Sequence, residues 1–120
     1  MHVLLVDYYA LIRRALRTIL QQVSDVHQVT EVGDGQRALE ILALEQPDLV
    51  LLDIQMPHLN GLVTAKEILT KRPQQRIIFM SGHLNGEPLR EALKMAAHGY
   101  VAKEAAWEEM EPAKIGRAHV

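Results

Sequence analysis

The chain has 120 residues, enough for one domain of ordinary size and too few for two independent cores. Hydrophobic residues make up 48% and charged residues 23%, a globular composition rather than a disordered one. There is no cysteine, which excludes disulfides and thiol chemistry, and the formal net charge of -2 gives no reason for this domain to bind nucleic acid. No apolar run approaches the roughly 20 residues that span a bilayer, and no signal peptide precedes the first strand-like run. The expectation is a cytoplasmic domain without a membrane partner.

Val3-Leu4-Leu5-Val6 reads as a short buried strand. Leu11, Ile12, Ala15, Leu16, Ile19, Leu20 and Val23 then recur on one face of a helix, with Arg13, Arg14 and Arg17 on its solvated face. His27 to Val32 mixes polar and apolar residues, as an edge strand does. Gly33-Asp34-Gly35 is a turn, and Gln36 to Glu45 has helical spacing. Pro47-Asp48 leads into a second buried strand, Leu49 to Leu52. The loop Asp53 to Gly61 precedes a helix over Leu62 to Thr70, closed by Pro73. Ile77 to Met80 is a third buried strand. Ser81 to Gly86 is a loop, and Pro88 opens a helix to about Ala97 that stops at Gly99. Tyr100 to Ala102 is the last strand.

Strand and helix alternate about five times, which predicts an α/β fold with a parallel sheet and helices on both faces. Continuous apolar strands agree, because such a sheet is buried on both sides. Sites in these sheets form at the carboxyl ends of the strands, where strand order reverses. The residues there are Asp7, Asp53, Ser81 and Lys103. In the order 2-1-3-4-5, Asp7 and Asp53 stand on neighbouring strands roughly 4.8 Å apart. Two such carboxylates repel, so one must take a proton or a cation must bind, and oxygen ligands favour Mg²⁺. A carboxylate nucleophile, a cation, an ammonium group and a hydroxyl suit phosphoryl transfer.

The plainer readings lose on the combination. Asp7 or Asp53 alone would be a strand-end turn residue, and Asp34 and Asp48 are read as turn and cap residues. Ser81-Gly82-His83 lacks the nucleophile elbow of a hydrolase, and the six histidines have no zinc spacing. The five methionines read as core filler. A phosphatase with an aspartyl intermediate would need an acid two residues after Asp7, where Tyr9 stands. A flavodoxin-like cofactor carrier would need a glycine- or hydroxyl-rich phosphate loop where Asp7-Tyr8-Tyr9-Ala10 stands.

Three segments carry a resemblance: Leu51 to Gly61, Phe79 to His83, and Gly99 to Glu104. Together, over about residues 2 to 110, the chain resembles the receiver domain of two-component response regulators. The resemblance implies a flavodoxin-like doubly wound (βα)5 fold with strand order 2-1-3-4-5. It also implies that a sensor histidine kinase phosphorylates Asp53. Asp7, Asp53 and the main-chain carbonyl of Gln55 would hold Mg²⁺. Ser81 and Lys103 would contact the phosphoryl group, Tyr100 would swing inward as the aromatic switch, and position 55 together with His83 would tune dephosphorylation. The face made by helix four, strand five and helix five would change partners, homodimerisation included. The domain would be a phospho-acceptor rather than an enzyme.

The chain departs from that pattern at three places. Tyr8 stands where relatives carry a second acid, and a neutral phenol is a poor Mg²⁺ ligand, so cation binding is expected to be weakened. A phosphate-independent receiver, acting as an interaction or dimerisation module, is the alternative. Glu104 follows Lys103 where many relatives have proline. This feature, with Asp7 to Arg17 and Gly33 to Leu39, resembles receivers joined to LuxR-type DNA-binding domains. Finally, Pro112 interrupts the last helix, which is expected to be incomplete. Ile115 to Val120 back-translates to ATC GGA AGA GCA CAC GTC, a common sequencing adapter. The receiver is therefore expected over 1–114, with a non-native tail over 115–120.

Overall fold

The structure is a computed structural model that describes residues 1–57, 59–81 and 99–102. Five strands are described: β1 (His2–Val6), β2 (Gln28–Val32), β3 (Leu49–Asp53), β4 (Arg76–Ser81) and β5 (Gly99–Ala102). Three helices lie between the first four: α1 (Ala10–Leu20), α2 (Gly35–Leu42) and α3 (Gly61–Lys71). The strands form one parallel sheet in the order β2-β1-β3-β4-β5, as the sequence predicts. The helices read after Pro88 and after Lys103, and the tail over 115–120, lie outside the described residues.

Side chains alternate across the sheet and build a core on each face. Val3 and Leu5, with Leu49, Leu51, Ile78 and Met80, pack under Leu16 and Leu20 of α1. Leu4 and Val6, with Val50, Leu52, Ile77 and Phe79, pack under Ala38 and Leu42 of α2 and Ala65 and Ile68 of α3. β1 and β3 are buried along their whole lengths, which explains why they read as unbroken apolar runs. β2 shows the mixed burial of an edge. Among the described residues, no helix is long and apolar enough to cross a membrane.

Register between the two central strands is pinned at their amino ends. Asp48 Oδ2 accepts from the His2 amide at 2.6 Å, and the Asp48 amide donates to the His2 carbonyl at 2.8 Å. Asp48 therefore aligns β1 with β3 rather than capping a helix. Asp34, the other turn residue of the sequence reading, does cap one: its Oδ1 accepts from the Arg37 amide at 2.8 Å at the start of α2.

Of the three arginines expected on the solvated face of α1, Arg14 is exposed as predicted, whereas Arg13 and Arg17 are drawn toward the edge strand. Arg17 pairs with Glu31 of β2 at 2.6 Å, and Arg13 Nε lies 3.5 Å from the same carboxylate. The helix spacing placed all three away from the core but gave no sign that an acid on the edge strand gathers two of them.

Helices α2 and α3 meet at Gly35. A Cβ added there would stand 2.2 Å from Thr64 Oγ1 and 3.1 Å from the Leu59 carbonyl oxygen. Thr64 is fully buried, and its hydroxyl donates to the Asn60 carbonyl at 2.9 Å. Gly35→Ala should lose about 2 kcal/mol in urea unfolding, from overpacking. In a Thr64→Ala background the same change should cost less by at least about 0.5 kcal/mol, because the shared contact is gone. Additive losses would place the cost elsewhere.

Candidate functional site

The site lies at the carboxyl edge of the sheet, next to the crossover between β1 and β3. Val6 pairs with Leu52, so the next residues, Asp7 and Asp53, are in step on adjacent strands. Both are fully buried. Each accepts a hydrogen bond from the main-chain amide two residues on: Tyr9 to Asp7 Oδ1 at 2.9 Å, and Gln55 to Asp53 Oδ1 at 3.0 Å. The turn role of these aspartates is therefore compatible with a place in the buried pair. The side chain turns its own loop, and that turn fixes the direction of the carboxylate.

The two loops that leave the pair are tied down differently. After β3, the Ile54 amide donates to the Met80 carbonyl at 3.0 Å, and the Gly61 amide closes back on the Ile54 carbonyl at 2.9 Å. Asn60 caps α3 through Oδ1, which accepts from the Val63 amide at 2.9 Å. Gly61 is needed for this closure: an added Cβ would lie 2.1 Å from the Asp53 carbonyl oxygen. After β1, the Asp7 amide donates to the Val32 carbonyl at 3.3 Å. Tyr9 occupies the α1 cap position without a side-chain cap hydrogen bond.

Tyr8 is 51% exposed and meets the Tyr9 ring edge-on, with centroids 5.2 Å apart. It lines a cleft of about 580 Å³ with Arg13, Gly33, Asp34, Arg37 and Pro57, among others. The ring is therefore no part of the core.

The strand positions of the remaining candidates follow from register. Asp53 pairs with Met80, which puts Ser81 one step further along β4, and Ser81 pairs with Ala102. Tyr100 pairs with Phe79 on β5. Lys103 and His83 lie outside the described residues.

The donor set fits a hard cation. Two buried carboxylates on adjacent strands concentrate negative charge, and oxygen ligands suit Mg²⁺. Among the described residues no group of three or more His, Cys, Asp or Glu gathers around a common point. A cation here would complete its shell with main-chain oxygen and water, as Mg²⁺ does.

Residues 3–113 match the family of the response regulator receiver domain. The chain belongs to that family. It is 36% identical to the transcriptional activator protein ExaE of Pseudomonas putida over 106 residues, covering 88% of this chain and 50% of that protein. It is 32% identical to the nitrate/nitrite response regulator protein NarL of Escherichia coli (strain K12) over 108 residues, covering 90% and 50%. The receiver thus spans about half the length of these curated relatives. Among solved structures, the response regulator protein TrrA of Thermotoga maritima, in complex with Mg(2+)-BeF, is similar at 29% identity. Its TM-score is 0.84, with 98% of this chain and 97% of that chain covered. The doubly wound receiver fold read from the sequence is therefore the family fold.

Three residues that shape the site had roles that escaped the sequence reading. Arg13 and Glu31 meet across α1 and β2, and no local pattern marks such a pair. Gly61 was visible only as a loop glycine. Gly61→Ala should lower stability by about 3 kcal/mol in urea unfolding, because the obstruction is backbone and cannot rotate away. Amide shifts in its NMR spectrum should concentrate at residues 53–55. A stability within about 0.5 kcal/mol of wild type would show that the loop has room the structure does not.

Proposed function

We propose that this receiver takes a phosphoryl group on Asp53 from a sensor histidine kinase and acts as a regulatory switch rather than as an enzyme. The observation that carries the reading is the buried pair, Asp7 and Asp53, in step on adjacent strands beside the end of β4. In the transfer, an oxygen of the Asp53 carboxylate forms a bond to phosphorus as the bond from phosphorus to the donor's imidazole nitrogen breaks. The Gln55 amide orients that carboxylate through Oδ1. Asp7, Asp53 and the Gln55 carbonyl would hold Mg²⁺, which supplies positive charge against the phosphoryl oxygens. That the Thermotoga maritima relative is solved in complex with Mg(2+)-BeF supports a Mg²⁺ site in this family, not the choice of ligands.

Ser81 and Lys103 would contact the transferred group, and Tyr100 would report it to the face around β5, shifting the population between two states of that face. His83 would tune the lifetime of the phosphorylated form. Self-association through that face, control of a DNA-binding output of LuxR type and a cytoplasmic location belong to the same proposal. So does the division at Lys114: the family match ends at residue 113, and the genomic locus should continue differently after Lys114.

Tyr8 supports a second reading. A half-exposed ring stands where a second acid would add ligand charge, so a phosphate-independent interaction module is the competing function.

Purified chain incubated with acetyl phosphate should gain one phosphoryl group by intact mass. The gain should require Mg²⁺ and vanish in Asp53→Asn. Tyr8→Asp replaces a surface ring at little cost to folding, and should speed the gain on the order of tenfold by adding a charged ligand. A folded protein that gains nothing, with Tyr8→Asp equally inert, would reject phosphorylation and leave the interaction module.

A further inference from the structure

Arg13 makes contacts that a solvated helix residue would not. Its Nη1 donates to the Asp7 carbonyl at 2.6 Å and to the Tyr8 carbonyl at 3.2 Å. Its Nε lies 3.5 Å from Glu31 Oε1 on β2. Glu31 is held in turn by Arg17, whose Nη1 donates to Oε2 at 2.6 Å. The Arg13 and Glu31 side chains are each only 20% exposed. One guanidinium therefore spans the first two peptides of the β1–α1 loop and anchors them to the edge strand.

These two peptides set where Asp7 points. Asp7 is the first residue after β1, and its carboxylate is tied to the Tyr9 amide across the Tyr8 peptide. The start of α1 has no side-chain cap to hold that segment. A planar guanidinium is suited to the task, because it offers several donors in a fixed fork, whereas an ammonium is a point charge.

We propose that Arg13 is a positioning residue for the cation site: it fixes the Asp7–Tyr8 main chain, and through it the Asp7 carboxylate, with Glu31 as its anchor. The inference rests on the reading of Asp7 as a ligand of Mg²⁺. Partners that orient a ligand from behind commonly change metal affinity by about 10–100-fold when lost.

Two readouts test it on the full chain. The first is Mg²⁺ affinity, from amide shifts during titration with MgCl₂. The second is hydrogen exchange at the Tyr9 amide, which reads the Asp7 turn directly and needs no metal. The amide of Leu51, in the middle of β3 and paired on both sides, serves as the reference for overall stability. Arg13→Met should weaken Mg²⁺ binding about tenfold and speed exchange at Tyr9 relative to Leu51. Arg13→Lys should recover only part of both. Glu31→Gln should move both in the same direction by less, and provides the test if Arg13→Met does not fold. Arg17→Met leaves the bonds to the loop carbonyls in place and acts only through Glu31, so both readouts should move much less than in Arg13→Met.

Wild-type affinity and Tyr9 exchange in Arg13→Met would overturn the proposal. So would full recovery by Arg13→Lys, since charge alone would then suffice. Equal loss in Arg17→Met would also overturn it, by assigning the effect to the charge cluster. If the wild-type chain binds no Mg²⁺, the reading of Asp7 as a ligand fails, while Tyr9 exchange still decides whether Arg13 holds the loop.

Discussion

Two carboxylates buried side by side are the constraint around which this fold is arranged. Asp7 and Asp53 have no exposed surface, and their strands are adjacent and in register. Charge placed there must be matched by hydrogen bonds, a cation or both. The sheet meets the first need with its own backbone: each carboxylate turns back to accept the amide two residues later. The parallel topology supplies the rest of the setting. It brings the carboxyl ends of β1, β3, β4 and β5 to one edge, while both faces are sealed by apolar cores. Among the described residues, the pair is thus backed by apolar cores and lies at the carboxyl edge of the sheet.

The two carboxylates are not secured equally. Asp53 lies on a strand paired on both sides, and its loop is closed by main-chain bonds and a capped helix packed directly on the Asp53 carbonyl. Asp7 begins a loop whose carbonyls are held by a side chain reaching back from α1. The first arrangement is held by backbone against backbone. The second depends on a guanidinium and the acid that anchors it. The nucleophile candidate thus precedes a loop closed by main-chain bonds, and Asp7 precedes one that side chains hold.

Much of this was legible in the sequence because it follows from period and position. Unbroken apolar runs at Val3–Val6 and Leu49–Leu52 announce buried parallel strands, and the first polar residue after each run falls at the site. Segment resemblance then ordered the strands and named the chemistry. What could not be read depends on tertiary contact. Asp48 looks like a cap from its place after Pro47, yet it aligns β1 with β3, because its partner is 46 residues away. Arg13 and Arg17 look solvated from helix spacing, yet Glu31 collects them. Gly35 looks like a turn residue, and its actual requirement is a hydroxyl on another helix. The roles of Lys103 and His83 still rest on resemblance, since both lie outside the described residues.

Tyr8 is where these threads meet. The loop that departs from the family pattern also leads into the one helix, among the three described, without a side-chain cap hydrogen bond. Replacing an acid there with a phenol removes a ligand charge, and it also removes a reason for that peptide to be placed by a cation. On the proposed reading, placement then comes from the protein itself, through Arg13 Nη1, which donates to both the Asp7 and Tyr8 carbonyls while Nε faces Glu31. A loop held in this way keeps Asp7 oriented whether or not a cation is bound. Orientation before binding lowers the cost of capturing one, because less freedom is lost at the moment of capture. On the proposed reading, the missing acid takes a ligand from the cation while the arginine tether orders the ligand that remains, so the strength of the site would depend on both and not on Tyr8 alone.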